Sequence, residues 1–242
     1  EFDCSRPPFN DPNLRRAIYH AVDRQEICRE FLFGEGSPAD LGILPSVPFF
    51  SYTGRSNNPF NMTLAKSYLR KSNYKKGDTI PFYVSSSAGS SDYLWCKSLV
   101  NHLDERLNLQ LKFVQVSFID KMSMIQKGEA SMWKAAYISD YPDAESFLMP
   151  YYSKNKEAKT MNTNNFSNVE FDSNLDASRR EEESVKRNQY FNTCVDILNR
   201  EAPIVPLYFE DLVVVINLRL RGARVNSFGI LDLSGAYLKP IQ

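Results

Sequence analysis

The 242-residue sequence predicts an α/β fold, on three observations. Between 79 and 138, short runs of strand character alternate with stretches of helical spacing, as a sheet flanked by helices requires. An amphipathic helix with its own start signal precedes this alternation, and a longer charged one from Glu181 to Arg200 follows it. The 16 Phe and 13 Tyr, within 43% hydrophobic residues, supply a core and exclude a disordered chain.

The elements follow in order. Asp11 is a good N-cap and Pro12 suits the first helical position; Leu14, Ala17, Ile18 and Ala21 then share one face. Asp23-Arg24-Gln25-Glu26 has capping-box spacing, so a second short helix carries Ile27 and Phe31 and stops at Gly34. Residues 34–60 are rich in Pro, Gly, Ser and Asn, an irregular crossing. Leu64, Ala65, Tyr68 and Leu69 mark a short helix. Thr79 to Ser85 reads as a strand. Ser91-Asp92 caps a helix whose stripe is Cys96, Leu99, Val100, Leu103 and Leu107. Leu109, Leu111 and Phe113 alternate as in a half-buried strand. Asp120 to Gly128 is a short helix, and Met132 to Ile138 a strand ended by Asp140-Tyr141-Pro142-Asp143. Residues 153–168 are loop. In the last helix Tyr190, Cys194, Ile197 and Leu198 face inward; Pro203 stops it, and Ile204 to Ile216 is extended.

Charge and composition narrow the function. Lys+Arg and Asp+Glu both number 29, so the basic excess of a nucleic-acid binder or polybasic membrane-surface protein is missing. The longest aliphatic run, Leu212 to Ile216, is far too short to span a bilayer. The opening Glu1-Phe2-Asp3-Cys4 has no basic or apolar targeting character. Cys4, Cys28, Cys96 and Cys194 lack zinc spacing; either some pair as disulfides or all are small buried hydrophobes. His20 and His102 have no partner at ligand spacing, so neither a metal nor another cofactor is expected. Ser131 to Lys134 and Ser72 to Lys75 match S-x-x-K, but no companion motif of an acyl-enzyme hydrolase accompanies them, and no enzymatic activity is expected.

Four segments carry a family resemblance. Pro7-Pro8-Phe9-Asn10-Asp11 with Leu14-Arg15-Arg16-Ala17 and Ala21-Val22-Asp23-Arg24 resembles a signature of the peptide-binding proteins of ABC importers, the extracellular solute-binding proteins of the oligopeptide and dipeptide class. Ile138-Ser139-Asp140-Tyr141-Pro142-Asp143 with Ser146-Phe147-Leu148 is similar to that family's W-x-x-D-Y-P-D segment. Ala202 to Tyr208 resembles its AP-x-[IV]-P-L-[YF] strand. Asn165-Phe166 and Phe171-Asp172 match a further stretch. The resemblance implies the C-terminal lobe of a two-lobed periplasmic-binding-protein fold of class II. Residues 1–10 are then a hinge crossing, 11–210 the ligand-binding α/β lobe, and 211–242 the return to a first lobe whose body lies outside this chain.

The same resemblance implies the site. Asp140 would pair with the α-ammonium of a bound peptide, and a carboxylate in a water-poor cleft suits that role. Read from the residues alone, Asp140 is first a turn Asp bonding its own backbone. Tyr141 before Pro142 is pushed toward extended geometry, which helps aim Asp140. Tyr137 stands where the family has Trp, lining the cleft or packing in the core; Trp133 is expected in the core. Ile138 belongs to the same segment. Asp143 and Glu145 are read as the N-cap and first turn of a helix from Ala144 to Leu148. Lys134 falls where oligopeptide members carry an Arg that meets the peptide carboxylate; the other reading is a solvated lysine. In a strand from Met132 to Asp140, Lys134 and Asp140 share a face at roughly 20 Å, using about 3.3 Å per residue. The carboxylate-binding Arg of dipeptide members has no counterpart around Ser86 to Ser91.

The implied function is capture of a peptide outside the inner membrane by lobe closure, and delivery to the permease subunits of an ABC importer. The implied setting is periplasmic, or extracellular and lipid-anchored, and the protein a monomer with no nucleic-acid partner. A non-peptide solute such as a nickel complex, haem or sugar, and a receptor that reuses the lobe without transport, remain the alternatives.

Overall fold

A computed structural model describes residues 1–48, 50–54, 59–156, 161–211, 214–226 and 230–240. Helix α1 (Pro12–Ala21) begins as expected, with Asp11 accepting from the Asn13 N–H and Pro12 in the first turn. It buries Leu14, Ala17, Ile18 and Ala21, and also Arg15, whose guanidinium donates to the carbonyls of Phe9 (2.6 Å) and Glu201 (3.1 and 2.9 Å). Helix α2 (Arg24–Ile27) is capped by Asp23 and runs on as a π-helical turn to Leu32, closed by Phe33 at φ 51° and Gly34 at φ 93°. Only half of the capping box forms: Glu26 instead accepts from Arg106, at 2.5 Å. After strand β1 (Gly36–Pro38) the chain crosses to α3 (Met62–Lys71), capped by Asn61 and packed on α1.

The α/β unit then follows. Strand β2 (Ile80–Val84) leads to α4 (Ser91–Leu107), strand β3 (Leu111–Gln115), α5 (Phe118–Lys127) and strand β4 (Met132–Trp133). The sheet is parallel in the order β3-β2-β4, with Ile80 opposite Leu111 and Phe82 opposite Met132. Residues 1–3 lie antiparallel on the free edge of β4: Asp3 N–H donates to the Ser131 carbonyl at 2.9 Å and Trp133 N–H to the Glu1 carbonyl at 3.1 Å. Caps shift two helix starts from their expected positions. Ser90 rather than Ser91 caps α4, and Ser117 starts α5 before Asp120.

Strand β4 is shorter than the expected Met132 to Ile138. Its neighbour β2 ends at Val84, whose carbonyl is taken by Val116 N–H. Lys134 N–H still reaches the Tyr83 carbonyl at 2.9 Å, but the backbone beyond it has no strand to pair with and leaves the sheet. The shared face and spacing expected of Lys134 and Asp140 in one continuous strand therefore do not hold.

Helix α6 (Ala144–Leu148) starts at Asp143 as expected. Helix α7 (Val169–Ser178), capped by Asn168, was not expected; it buries Phe171 and Leu175. Helix α8 (Ser184–Glu201) buries Phe191, Cys194, Val195, Ile197 and Leu198, while Tyr190 is only half-buried because Phe191 takes the inward position. Of the expected extended stretch, strand β5 (Tyr208–Glu210) pairs antiparallel with β1; Leu212 and Val213 lie outside the described residues. Residues 204–207 and 214–216 of that stretch form no strand, and beyond it lie two small hairpin-like pairs, β6 (Leu220–Arg221) with β9 (Tyr237–Leu238), and β7 (Arg224–Val225) with β8 (Leu231–Asp232). Their apolar side chains, among them Leu231, Tyr237 and Leu238, are exposed.

One core joins α1, α3 and α4 to the sheet around Phe9, Phe82, Trp95 and Leu103; a second joins α6, α7 and α8 around Leu148, Phe171 and Leu198. Burying each such side chain contributes about 1.5–3 kcal/mol. All four cysteines are free thiols, Cys28, Cys96 and Cys194 buried, so the disulfide alternative is not realised. Among the described residues no helix is long and apolar enough to cross a membrane, and no cluster of His, Cys, Asp and Glu is arranged to hold a metal ion.

Candidate functional site

Because β2, β3 and β4 are parallel, their carboxyl ends share one edge, where open α/β sheets place ligands. Residues 85–90, 116–117 and 134–143 leave the strands there. The same edge exposes Leu94, Phe118, Ile119, Tyr137, Ile138 and Tyr141, an unusual share of large apolar groups for one rim.

Two charged clusters build this edge. In the first, Lys134, immediately after β4, pairs its ammonium with the Oδ2 of Asp92 in the first turn of α4. Asp92 Oδ1 accepts from the Tyr208 hydroxyl at 2.7 Å and from the Trp95 indole N–H at 2.9 Å. Burial alone would raise the Asp92 carboxyl, but the hydrogen bonds from Lys134, Tyr208 and Trp95 outweigh it and hold the group below its ordinary range. Burial, then the bond to Asp92, raises the Tyr208 phenol. Beneath them the buried Lys121 donates to the Lys134 carbonyl at 2.8 Å, and burial lowers its ammonium.

The second cluster fixes the loop after Lys134. Asp143 caps α6 through the Glu145 N–H and accepts a bidentate pair from Arg187 at 2.7 and 2.9 Å; Arg179 pairs with Glu145 at 2.6 Å. Burial opposes ionisation of Asp143, but Arg187 prevails and its carboxyl is lowered. Tyr137, 41% exposed, anchors its hydroxyl to the Ser146 carbonyl at 2.9 Å and its ring edge-on to Phe147. Ile138 is 85% exposed. Tyr141 is partly exposed, and Ser139 bridges its backbone N–H and carbonyl. Asp140 is exposed at the head of this loop, and among the described residues its carboxylate has neither a hydrogen bond nor an ion pair. The turn role open to Asp140 is taken by Ser139.

The structure therefore places Tyr137, Ile138, Asp140 and Tyr141 together on one loop, with Lys134 at its base but already paired. Trp133 is in the core, its indole N–H on the Glu1 carboxylate. Sequence reasoning missed Asp92, Trp95, Tyr208 and Arg187 as parts of this edge. Tyr208 closes a motif already singled out; the arginine on α8 has no sequence signal linking it to Asp143, 44 residues earlier. A cavity of about 130 Å³, lined by Arg6, Ile125, Gly128 and Asn162 among others, lies by the amino end of β4 and includes none of these residues.

Residues 1–159 match the model of the bacterial extracellular solute-binding proteins, family 5, middle region. The chain belongs to that family. It is 26% identical over 219 residues to the probable deoxycholate-binding periplasmic protein YgiS of Escherichia coli K12, covering 89% of this chain and 40% of that protein. It is 24% identical to the dipeptide-binding protein DppE of Bacillus subtilis, covering 97% of this chain and 44% of the relative. A periplasmic oligopeptide-binding protein of Borrelia burgdorferi superposes with a TM-score of 0.83 at 19% identity, over 98% of this chain and 47% of that one. The family-5 chain thus spans less than half the length of these relatives, and its fold is that of part of a two-lobed periplasmic binding protein.

Proposed function

We propose that this family-5 chain is the C-terminal ligand-binding lobe of a longer solute-binding protein that captures peptides outside the inner membrane and hands them to an ABC importer. One observation carries the reading: among the described residues Asp140 is an unpartnered carboxylate, at the carboxyl edge of the sheet, flanked by exposed Tyr137, Ile138 and Tyr141. A carboxylate left free while its neighbours Asp143 and Glu145 are neutralised by arginines is poised for a cation from outside the lobe. The α-ammonium of a peptide has that chemistry, and closure of a second lobe would strip water from the pair and strengthen it. The aromatic and aliphatic neighbours would flank the ligand's main chain. Residues 1–10 would then form one crossing between lobes and 211–242 the return, whose exposed apolar strands would pack on the first lobe. The working protein would be a monomer, periplasmic or anchored by lipid, with the permease as its protein partner.

The test is calorimetric titration of the full-length protein and its Asp140→Asn variant with free and N-acetylated peptides. Removing one member of such a pair typically costs about 2–5 kcal/mol, a factor between about thirty and several thousand in Kd. Wild type should lose that factor on acetylation, and the variant should barely discriminate. Equal affinity of wild type and variant for free peptides overturns the reading. A second reading, an amphipathic non-peptide solute, is favoured by the deoxycholate-binding relative and by the exposed apolar rim; binding of such a solute with no peptide binding is the outcome that selects it.

A further inference from the structure

We infer that Asp92 is a specificity-determining residue: by holding the Lys134 ammonium it withdraws that cation from the site, so the ligand end that lies beside β4 is uncharged rather than a carboxylate. The inference rests on the proposed binding role of this edge, and its charge balance follows from the ion pairs.

Lys134 is the first residue past the sheet, and its backbone is fixed from both sides. Its N–H donates to the Tyr83 carbonyl and its own carbonyl accepts from Lys121. Its side chain is 14% exposed and ends on Asp92, itself 27% exposed. The other oxygen of Asp92 accepts from Tyr208 and Trp95, and the indole N–H also donates to the Tyr208 phenol oxygen at 3.2 Å. Asp92 is therefore held in place by three donors, one from the loop after β4, one from β5 and one from its own helix.

A ligand carboxylate arriving at Lys134 would replace a carboxylate already there. It would gain one ion pair, lose another, and leave Asp92 half-buried with its charge uncompensated, which is the costly way to break such a pair. The next cation along α4, Lys97, lies over the Tyr93 ring at 4.9 Å. Against the loop, Arg187 of α8 and Arg179 at the end of α7 are taken by Asp143 and Glu145. Among the described residues, the segment from Lys134 to Glu145, together with Asp92, thus offers a visitor one unpaired charge, the negative one of Asp140. The ligand class this fits has a cationic end and no carboxylate near β4: a longer peptide whose main chain continues past this point, or one whose C-terminus is amidated. Short free-acid peptides and anionic amphiphiles gain no ion pair at Lys134.

Two readouts in the full-length protein test this. The first needs no ligand. Acetylation of Lys134 by an amine-reactive ester, followed by peptide mass spectrometry, should speed up about tenfold or more in Asp92→Asn, because Asn keeps the acceptor for Tyr208 and Trp95 but releases the ammonium. An unchanged rate overturns the sequestration. The second titrates tri- to pentaalanine and their C-terminal amides. Wild type and Lys134→Gln should each bind acid and amide within about threefold, whereas Asp92→Asn should favour the acids by about tenfold or more, and the double variant should lose that preference. A wild-type preference for the acids that Lys134→Gln abolishes overturns the inference. If no variant binds any peptide, the peptide reading of the site fails by itself, and the labelling rate alone decides whether Asp92 sequesters Lys134.

Discussion

Asp143→Ala would remove two supports of the candidate loop at once. The carboxylate accepts the Glu145 N–H at 2.9 Å as the N-cap of α6, and that cap is worth about 1 kcal/mol. It also accepts both terminal nitrogens of Arg187, side chains 28% and 27% exposed. Such a pair is bidentate but partly wetted, so its loss costs about 1–2 kcal/mol rather than the 3–5 of a fully buried one. Arg187 keeps the Ser178 carbonyl at 3.2 Å and a 3.8 Å approach to Glu145, which caps the damage. The expected loss for Asp143→Ala is about 2–3 kcal/mol, against about 1 kcal/mol for Asp143→Asn, which retains the cap. The pH dependence has a definite sign. The folded carboxyl is lowered because the hydrogen bonds and charge of Arg187 outweigh burial. Its contribution is therefore complete above the ordinary carboxylate value of about 3.9 and lost as pH falls through the lowered folded value. Urea unfolding of the three proteins from pH 7 down to pH 2 measures both. A deficit for Asp143→Ala below about 0.5 kcal/mol at pH 7, or one that does not shrink in acid, would refute the assignment.

Three further outcomes are expected. Phe171→Ala should lower stability by about 3–5 kcal/mol, read as a shift of the thermal or urea midpoint, because Phe171 is fully buried in the core joining α6, α7 and α8. Arg15→Met should cost about 2–4 kcal/mol by stranding the Phe9 and Glu201 carbonyls, whereas Arg29→Met, whose exposed side chain pairs with the exposed Glu30, should stay within about 0.5 kcal/mol; comparable losses would remove the special role of Arg15. Thiol alkylation at pH 8 should be slow in the native protein and reach all four cysteines in denaturant, since burial pushes Cys28 up to about 11 and Cys194 up to about 12.

The parts that local chemistry decides were legible beforehand. The starts of α1 and α6 followed from Asp11-Pro12 and Asp143, and the parallel unit from alternating strand and helix patterns. Helix α7 was not legible because its inward face is only Phe171, Leu175 and Ser178 among polar neighbours, too thin a stripe to mark a period. The end of β4 was not legible either: Tyr137 and Ile138 suit a strand, and what denies them one is the length of β2, a neighbour in space and not in sequence. At the site, the loop from Tyr137 to Tyr141 could be marked from its residues. The pairing of Lys134 with Asp92 could not, because it joins residues 42 apart through the geometry of a crossover.

The short run of residues 1–3 along β4 has a mechanical consequence. Asp3 and Ser131 on one side, Glu1 and Trp133 on the other, join the two segments by backbone bonds lying across their length. If residues 1–10 cross to a first lobe as proposed, a pull along them would load these bonds in shear, together, rather than peel them one by one. The incoming segment and the base of the loop that carries Asp140 are then one stiff beam. Movement transmitted along it would arrive at Lys134 almost undamped, while bending would fall on stretches of chain without such ties.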